Sequence, residues 1–445
     1  MMPYAARRIA LLERLRQEGG GVAVLLTAPE APRNADTDYP YRHDSNFYYL
    51  TGFAEPGAAL VLAAKGDSME SVLFCREKDA AREIWDGFRY GPDAARTQFG
   101  FDRAQPIAAL DSAMEELLAD APALYCATGS SAALDARVQG WLAAVRGRDR
   151  AGVLAPTRLH DLPHLLAEMR VLKDGSETAL MRTAAEISAR AHLRAMRATR
   201  PGMREYEIEA ELLYEFRKSG AAAPAYPSIV ASGANTCILH YGANDAQIAD
   251  GALVLIDAGC EYGGYASDIT RTYPANGRFS KPQRELYELV LAAQAAALAQ
   301  AQPGRQYMAG HHAAVRVLAQ GMLDLGLLTG DKAGTLVDVI ARKTYGQFYM
   351  HGTGHWLGMD VHDTGSYRDL AAPAGPDRPY RPLAPGMTLT VEPGIYVRPA
   401  EGVPEQYWNI GIRIEDDILI TETGHDILSH GVPKTVAEIE AVLAR

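Results

Sequence analysis

Cysteine, dense basic tracts and long apolar runs are all scarce in this chain of 445 residues. Four cysteines without a CxxC pair do not make a disulfide scaffold, and they are typical of a protein in the reducing cytoplasm. Lys and Arg total 44 against 55 Asp and Glu, a net charge of −11 that argues against nucleic-acid binding. Since no window approaches the roughly 18 apolar residues of a membrane span, we expect no membrane insertion.

Several common catalytic motifs are absent as well. The sequence contains no GxxxxGK[ST], no GxSxG and no HExxH, which argues against a P-loop NTPase, a nucleophile-elbow hydrolase and a zincin. The string HDLPH does place His160 and His164 at the i, i+4 spacing of helical metal ligands. Pro163 between them opposes a helix, so we interpret this segment as a surface loop.

The length and the composition predict two globular domains. Nearly half of the residues, 48%, are apolar and 22% are charged, which is typical of folded soluble proteins. Up to about residue 165, short strand-like apolar runs alternate with helical spacing. The turn-like string KDGSE then precedes a long helical pattern that begins at Ser176. This change predicts an N-terminal domain over residues 1–172 and a second domain over residues 173–445.

The second half contains a helix–Pro-Gly–helix unit twice. Pro201 and Pro303 mark the two copies and lie roughly 100 residues apart, a spacing that indicates an internal duplication. Strand-like segments follow each unit, at residues 252–256 and 269–273 in the first copy and at 387–391 and 410–415 in the second. We expect the two halves to face each other around a shared site.

Four carboxylates lie at the edges of these apolar strands: Asp257, Asp268, Glu392 and Glu415. One such residue alone is more often a turn cap, but four of them, two from each copy, indicate a cation site because their burial otherwise costs several kcal/mol each. His355, in the small-residue string HGTGHWLG, adds an imidazole. This oxygen-rich set suits Mn²⁺, Co²⁺, Fe²⁺ or Zn²⁺, and mutual repulsion among the carboxylates favours two divalent ions.

These strings resemble a known family. LIDAGCEYGGYASDITRT, HGTGHWLGMDVHD, LTVEPGIY and GIRIEDD are similar to the metallopeptidases of the methionine aminopeptidase, prolidase and aminopeptidase P superfamily, family M24. NADTDYPYRHDSNFYYLTGFAEPGAALVL and AAREIWDGFRYG resemble the creatinase/aminopeptidase P N-terminal domain. The resemblance implies an α/β (α+β) protein, in which a creatinase-like α/β domain precedes a pita-bread peptidase domain with an internal pseudo-twofold duplication.

The resemblance also implies roles for the metal ligands. Asp257 would bind one ion, Asp268 and Glu415 would bridge two, and His355 and Glu392 would complete the coordination of the other. Two divalent ions are implied, with Mn²⁺ favoured and Zn²⁺ or Co²⁺ as alternatives.

Further residues gain implied roles from their positions in the same strings. The catalytic set comprises Glu392 as a proton carrier, three histidines and an arginine that braces a carboxylate: His240, His351, His362 and Arg413. The substrate-binding set comprises two aromatic residues and two of these histidines: Tyr226, Trp85, His351 and His362.

The activity implied by the resemblance is hydrolysis of the N-terminal Xaa-Pro bond of peptides by a hydroxide that bridges the two metal ions. A prolidase, which cleaves Xaa-Pro dipeptides with the same ligands, is the alternative enzyme. A catalytically inactive pita-bread binding or scaffold protein is the alternative from another class, and the intact ligand set argues against it. Expected partners are peptides with proline at the second position and further copies of the chain, in a homodimer or homotetramer; neither nucleic acid nor a membrane is expected.

Overall fold

The computed structural model describes residues 3–330 and 333–444 of the chain. The fold divides into two compact units, of which one extends to Ala167 and the other begins at Glu168. This division lies close to the change of sequence pattern at KDGSE. The functional boundary at residues 172/173 stays a prediction.

The first unit alternates strands and helices, as the mixed apolar pattern predicts. Its strands are β1 Gly21–Leu26, β2 Pro32–Asn34, β3 Thr37–Asp38, β4 Ala59–Lys65, β5 Ser68–Cys75, β6 Arg103–Pro106, β7 Ala123–Cys126 and β8 Arg158–Asp161. Its helices are α1 Pro3–Gln17, α2 Ser45–Thr51, α3 Ala80–Asp86, α4 Gly91–Phe99, α5 Leu110–Leu118 and α6 Ala132–Arg146, and α7 Leu162–Arg170 leads into the second unit.

A mixed sheet organises this first unit, with the strand order β6-β5-β4-β1-β7-β8. Strand β4 pairs antiparallel with both β1 and β5, whereas β1 pairs parallel with β7 and β7 with β8. Helices α5 and α6 bury Met114 and Trp141 against Val24, Val61 and other apolar side chains of the sheet. Continuous burial along β1 and β4 explains why these strands are uniformly apolar in the sequence.

The interpretation of HDLPH as a surface loop is wrong. His160 lies in β8, where its ring stacks on Tyr125 at a centroid distance of 4.6 Å, and helix α7 begins two residues later. Pro163 is the second residue of that helix, where its missing N–H breaks no helical hydrogen bond. Asp161 accepts a hydrogen bond from the backbone N–H of His164 at 3.2 Å and so supports the helix start.

The second unit consists of helices packed on several small antiparallel sheets. Its helices are α8 Gly175–Ala198, α9 Glu205–Lys218, α10 Lys281–Leu298, α11 Met308–Asp324, α12 Leu336–Arg342 and α13 Val436–Leu443. Its strands are β9 Ala223–Pro224, β10 Ile229–Ser232, β11 Leu253–Asp257, β12 Cys260–Tyr262, β13 Tyr265–Ala266, β14 Thr270–Pro274, β15 Thr388–Val391, β16 Gly394–Val397, β17 Ile410–Arg413, β18 Asp416–Ile420 and β19 His425–Ile427.

The repeated helix pair of the sequence corresponds to α8–α9 and α10–α11. Helix α8 begins at Gly175, one residue before the predicted start at Ser176. It starts with a capping box, in which the Asp174 side chain accepts a hydrogen bond from the backbone N–H of Glu177. Helix α10 begins at the equivalent box of Ser280 and Gln283. Each pair precedes antiparallel strands, β10-β11-β14 after the first and β15-β18-β19 with β16-β17 after the second.

An extensive apolar core joins these elements of the second unit. It contains Phe216 of α9, Leu286 of α10, Ile256 of β11 and Ile412 of β17, all completely buried. The core therefore fixes the two sets of strands that carry the predicted metal ligands. Among the described residues, no helix is both long enough and apolar enough to cross a membrane.

Candidate metal centre and active site

The strand ends bring the four carboxylates together. Asp257 is the last residue of β11 and pairs with Thr270, two residues after Asp268. Glu392 directly follows β15, whose last residue pairs with Asp416. The predicted strand over residues 410–415 is in fact interrupted, because β17 ends at Arg413 and β18 begins at Asp416, so that Glu415 occupies the break.

The loop that carries His355 lies directly against β15. A Cβ atom on Gly354 would lie 2.0 Å from the carbonyl oxygen of Thr390, so a larger residue cannot occupy this position. The backbone of Thr390 donates to His355 O at 3.0 Å, and Glu392 N donates to Thr353 O at 2.8 Å. The small residues of HGTGHWLG thus allow the close backbone approach that the sequence predicts.

Three of the predicted ligands have donor atoms within 4.8 Å of one another: Asp268, His355 and Glu415. His355 Nε2 lies 3.4 Å from Asp268 Oδ2 and 3.6 Å from Glu392 Oε1. These side chains open into a cleft of about 340 Å³ that is lined by Leu239, His240, Asp257, Asp268, His351, Gly352, Gly354, His355, His362, Glu392, Arg413 and Glu415. The cleft therefore collects all five predicted metal ligands, the three predicted catalytic histidines and Arg413.

The buried carboxylates carry more negative charge than the surrounding protein stabilises. Burial raises the pKa of Glu392 to about 7, and the charge of Asp268 adds to that rise. Burial and the same neighbour raise the pKa of Glu415 well above its ordinary value. Asp268 differs: burial raises its pKa, but His355, Tyr226 and Arg413 together outweigh burial and lower it. A divalent cation would neutralise the negative charge of these closely spaced carboxylates.

The histidines of the cleft have opposite protonation tendencies. Although burial disfavours the charged form of His355, Asp268 and Glu392 raise its pKa to about 9. Burial lowers the pKa of His351 to about 4, and Arg413 adds to this effect. Burial and His355 also lower the pKa of His362, whose ring centroid lies 4.0 Å from that of His355. His351 and His362 are therefore neutral at pH 7.

Arg413 connects both halves of the carboxylate set. Its Nη2 donates to Asp257 Oδ2 at 2.5 Å, and its Nε donates to Thr270 Oγ1 at 3.1 Å. Thr270 in turn donates to Glu415 Oε2 at 2.5 Å. Because Arg413 is buried, these contacts fix the orientation of the carboxylates beside it.

The comparisons with known proteins agree over nearly the whole chain. Residues 179–422 match the model of metallopeptidase family M24, and residues 4–125 match that of the aminopeptidase P N-terminal domain. The chain is 46% identical to the Xaa-Pro aminopeptidase of Escherichia coli K12 over 441 residues, which cover 99% of this chain and 97% of that protein. The chain belongs to metallopeptidase family M24.

Solved structures of family M24 show the same fold. The aminopeptidase PepP of Pseudomonas aeruginosa superposes with a TM-score of 0.94 at 50% identity, over 99% of this chain and 97% of that one. A variant of E. coli aminopeptidase P in complex with substrate superposes with a TM-score of 0.93 at 46% identity, with the same coverage of 99% and 97%. The chain is thus a metal-dependent aminopeptidase, a hydrolase with the aminopeptidase P architecture and a pita-bread C-terminal domain.

Two other predicted substrate-binding residues of this M24 chain, Tyr226 and Trp85, are not among the residues that line this cleft. The Tyr226 hydroxyl donates to Asp257 Oδ1 at 2.6 Å and also contacts Asp268, so it lies behind the carboxylates rather than along the cleft. Trp85 belongs to the short helix α3 and is 82% exposed. The substrate contacts of both residues stay predictions.

Sequence reasoning missed Tyr396 and the bracing function of Thr270. Tyr396 lies between two predicted residues, since its hydroxyl is 2.8 Å from His351 Nε2 and accepts from Arg413 Nη1 at 3.1 Å. The contact depends on the pairing of β16 with β17, which no local pattern in the sequence specifies. Thr270 could have been noticed, because it lies two residues after Asp268, and residues two apart in an extended segment project to the same side.

Proposed function

We propose that the enzyme hydrolyses the N-terminal Xaa-Pro bond of peptides with two divalent metal ions. The observation that carries the proposal is the convergence of Asp268, His355 and Glu415 in the 340 Å³ cleft, with Asp257 and Glu392 on its walls. Hard oxygen donors with one imidazole favour Mn²⁺, and Zn²⁺ or Co²⁺ also fit this donor set.

The placement of each side chain supports the ligand assignments. Asp268 and Glu415 contribute to the central triplet and would bridge both ions, whereas Asp257, held by Arg413, would bind one of them. His355 and Glu392 would complete the coordination of the second ion, and His355 Nε2 lies 3.6 Å from Glu392 Oε1. When bound, the two ions supply Lewis acidity and lower the pKa of bound water towards ~7, which provides a nucleophile at neutral pH.

The remaining cleft residues act on the substrate. His240 or His351 would polarise the scissile carbonyl. The neutral His351 donates through Nδ1 to Gly352 O at 2.7 Å and accepts at Nε2 from the Tyr396 hydroxyl at 2.8 Å, so it would have to exchange one of these partners to donate to substrate. His362 would stabilise the tetrahedral intermediate from the side of His355. Glu392 would accept a proton from the nucleophile and pass it to the leaving imino nitrogen of proline.

The proposal extends to the N-terminal domain and to the assembly. We assign residues 1–172 to this domain and residues 173–445 to the catalytic domain, with Trp85 and Tyr226 as substrate-positioning residues. The exposed apolar side chains of Ile84 and Trp85 favour a homodimer or homotetramer, since large exposed apolar groups mark association surfaces. The four free, buried cysteines are consistent with a cytoplasmic location.

A metal titration tests the dinuclear assignment. The metal-free protein is titrated with Mn²⁺ by calorimetry, and the activity on an Xaa-Pro-Yaa tripeptide is measured at each ratio. We expect two bound ions per chain and an activity that rises with occupancy. A protein that binds no ion stoichiometrically, or that is fully active without metal, would contradict the proposal and favour the scaffold alternative.

A further inference from the structure

A buried amide lies between the two backbone segments that lead into Glu392 and Glu415. Gln294 belongs to α10 and has no exposed surface. Its Nε2 is 3.2 Å from the carbonyl oxygen of Val391 and 3.2 Å from that of Ile414. These two residues directly precede the two glutamates, so one side chain is hydrogen-bonded to the backbone immediately before both.

The same amide is part of a larger charged network. Gln294 Nε2 also donates to Asp416 Oδ2 at 3.1 Å, and its Oε1 accepts from Lys434 Nζ at 3.2 Å. Asp416 is compensated by Arg271, at 2.7 Å, and by Lys434, at 2.5 Å. Since both ends of the amide have partners, the side chain has a fixed orientation towards the two carbonyl groups.

The remaining backbone contacts of the two glutamates come from other segments. Glu392 N donates to Thr353 O at 2.8 Å, and Glu415 N donates to Thr270 O at 3.1 Å. Through its amide nitrogen, Gln294 therefore hydrogen-bonds helix α10 both to the end of β15 and to the segment between β17 and β18. Its loss would leave two buried carbonyl groups without this donor and would free the spacing between the two carboxylates.

We propose that Gln294 is a positioning residue that sets the separation of Glu392 and Glu415 for two-metal binding. The inference rests on the proposed assignment of both glutamates as metal ligands. Gln294 contacts neither carboxylate nor the cleft, so it acts only through the backbone. Residues that hydrogen-bond to metal ligands typically contribute 10–100-fold to metal affinity, and we expect an effect of about this size from Gln294.

The test replaces the amide by an apolar side chain of similar size, Gln294→Met. The matched control is Gln283→Met, because Gln283 lies on the same helix, is nearly buried and donates to Gly251 O at 2.8 Å, away from the ligand segments. For each variant, Mn²⁺ affinity is measured by calorimetry, the dinuclear form by its paramagnetic resonance spectrum, and kcat and KM on a tripeptide.

We expect Gln294→Met to weaken Mn²⁺ binding by about 10–100-fold, to alter the spectrum of the exchange-coupled pair and to lower kcat with little change in KM. The control should lose thermal stability but keep both the affinity and the spectrum. Equal Mn²⁺ affinity and spectra in Gln294→Met and the wild type would overturn the positioning role and leave Gln294 as a packing residue.

A second variant keeps the question decidable if Gln294→Met does not fold. Gln294→Leu also removes the N–H donors and places no second acid beside Asp416, so it should show the same loss of affinity; wild-type affinity there would overturn the inference. Failure of the proposed function is distinguishable, because a wild-type protein that does not bind two Mn²⁺ ions would reject the ligand assignment itself.

Discussion

Asp268 and Glu415 are the residues whose removal should affect catalysis most, since each would bridge both ions. We predict that Asp268→Ala and Glu415→Ala abolish peptide cleavage and lower the metal content below two ions per chain. Elemental analysis of the dialysed variants, together with a tripeptide assay, checks this. Near-normal turnover in either variant with two ions still bound would exclude the dinuclear arrangement.

Glu415 should destabilise the metal-free protein. Burial and Asp268 raise its pKa well above the ordinary value, so the folded state binds this proton more tightly than the unfolded state does. The stability that this proton provides is present below the unfolded pKa of ~4.3 and is lost as the pH rises towards the folded pKa.

We therefore predict that Glu415→Gln raises the melting temperature of the metal-free protein at pH 7. The amide preserves the acceptor for Thr270, which donates to the carboxylate at 2.5 Å. Calorimetry with and without a chelator and added Mn²⁺ measures the effect, and the order of stability should reverse when metal is present. A lower melting temperature for the metal-free variant would show that Glu415 is already compensated by the protein.

His362 should affect the rate rather than metal binding. Its ring lies beside His355 without belonging to the triplet of close donor atoms, so His362→Ala should lower kcat by about 10²–10³-fold and leave the metal content intact. Steady-state kinetics and metal analysis of the same preparation separate the two effects. Loss of metal in place of rate would make His362 a ligand.

The sequence identified individual residues best where their chemistry is unusual for their position. Carboxylates at the ends of apolar strands, such as Asp257 and Glu392, stand out from the pattern around them. Tyr396 and Gln294 do not, because an aromatic residue in a strand and a polar residue in a helix are ordinary. Their contacts arise only when β16 pairs with β17 and α10 packs on the strand ends.

Among the elements, α8 and β11 are linked by a buried imidazole. His192 of α8 is completely buried, and its Nε2 lies 2.9 Å from Ala258 O, just after β11. Burial lowers the pKa of His192 to about 4, and the charge of Arg271 adds to this effect. Below pH 6.5 the unfolded chain gains a proton that the folded chain does not bind until about pH 4.

We predict that His192 makes the protein lose stability as the pH falls from 6.5 to 4, by up to about 3 kcal/mol. Urea unfolding at several pH values measures how steeply the free energy of unfolding changes with pH. His192→Gln should reduce that slope by the equivalent of nearly one bound proton. His430→Gln, at an exposed position of the same unit, is the control. An unaltered slope in His192→Gln would assign the acid sensitivity to other groups.

Element boundaries were predictable where capping residues mark them. Helix α10 begins at Lys281, after Ser280, as a Ser-x-x-Gln capping box predicts. The break at Glu415 was not predictable, because residues 410–415 continue the alternation of a strand. The break arises because β17 pairs with β16 whereas β18 pairs with β15.

At the scale of the whole molecule, the N-terminal domain should contribute to substrate use without affecting the metal centre. Trp85 is 82% exposed, so Trp85→Ala should leave folding and metal content unchanged. If this side chain positions substrate, kcat/KM on tripeptides should fall, by up to about 10²-fold. Leu154→Ala, at a 65% exposed position of the same unit outside the Ile84–Trp85 surface, is the control. Unchanged kinetics in Trp85→Ala would contradict a role of this domain in substrate binding.

The two-domain organisation and the fold class were predictable because the strings that carry them extend over most of the chain. Substrate choice is less accessible to sequence reasoning, since prolidases and aminopeptidases P would use the same five ligands. The two activities differ in whether the site accepts a residue after the proline, and the five ligands do not determine this.

The most direct test of the central claim is a comparison of peptides cleaved by the enzyme loaded with Mn²⁺. An Xaa-Pro-Yaa tripeptide, the corresponding Xaa-Pro dipeptide and the matched Xaa-Ala-Yaa tripeptide are assayed at equal concentrations, and kcat/KM is determined for each. An Xaa-Pro aminopeptidase should cleave the first peptide much faster than the other two and release its first residue. Preferred cleavage of the dipeptide would identify a prolidase, and no cleavage of any peptide would contradict the enzymatic function.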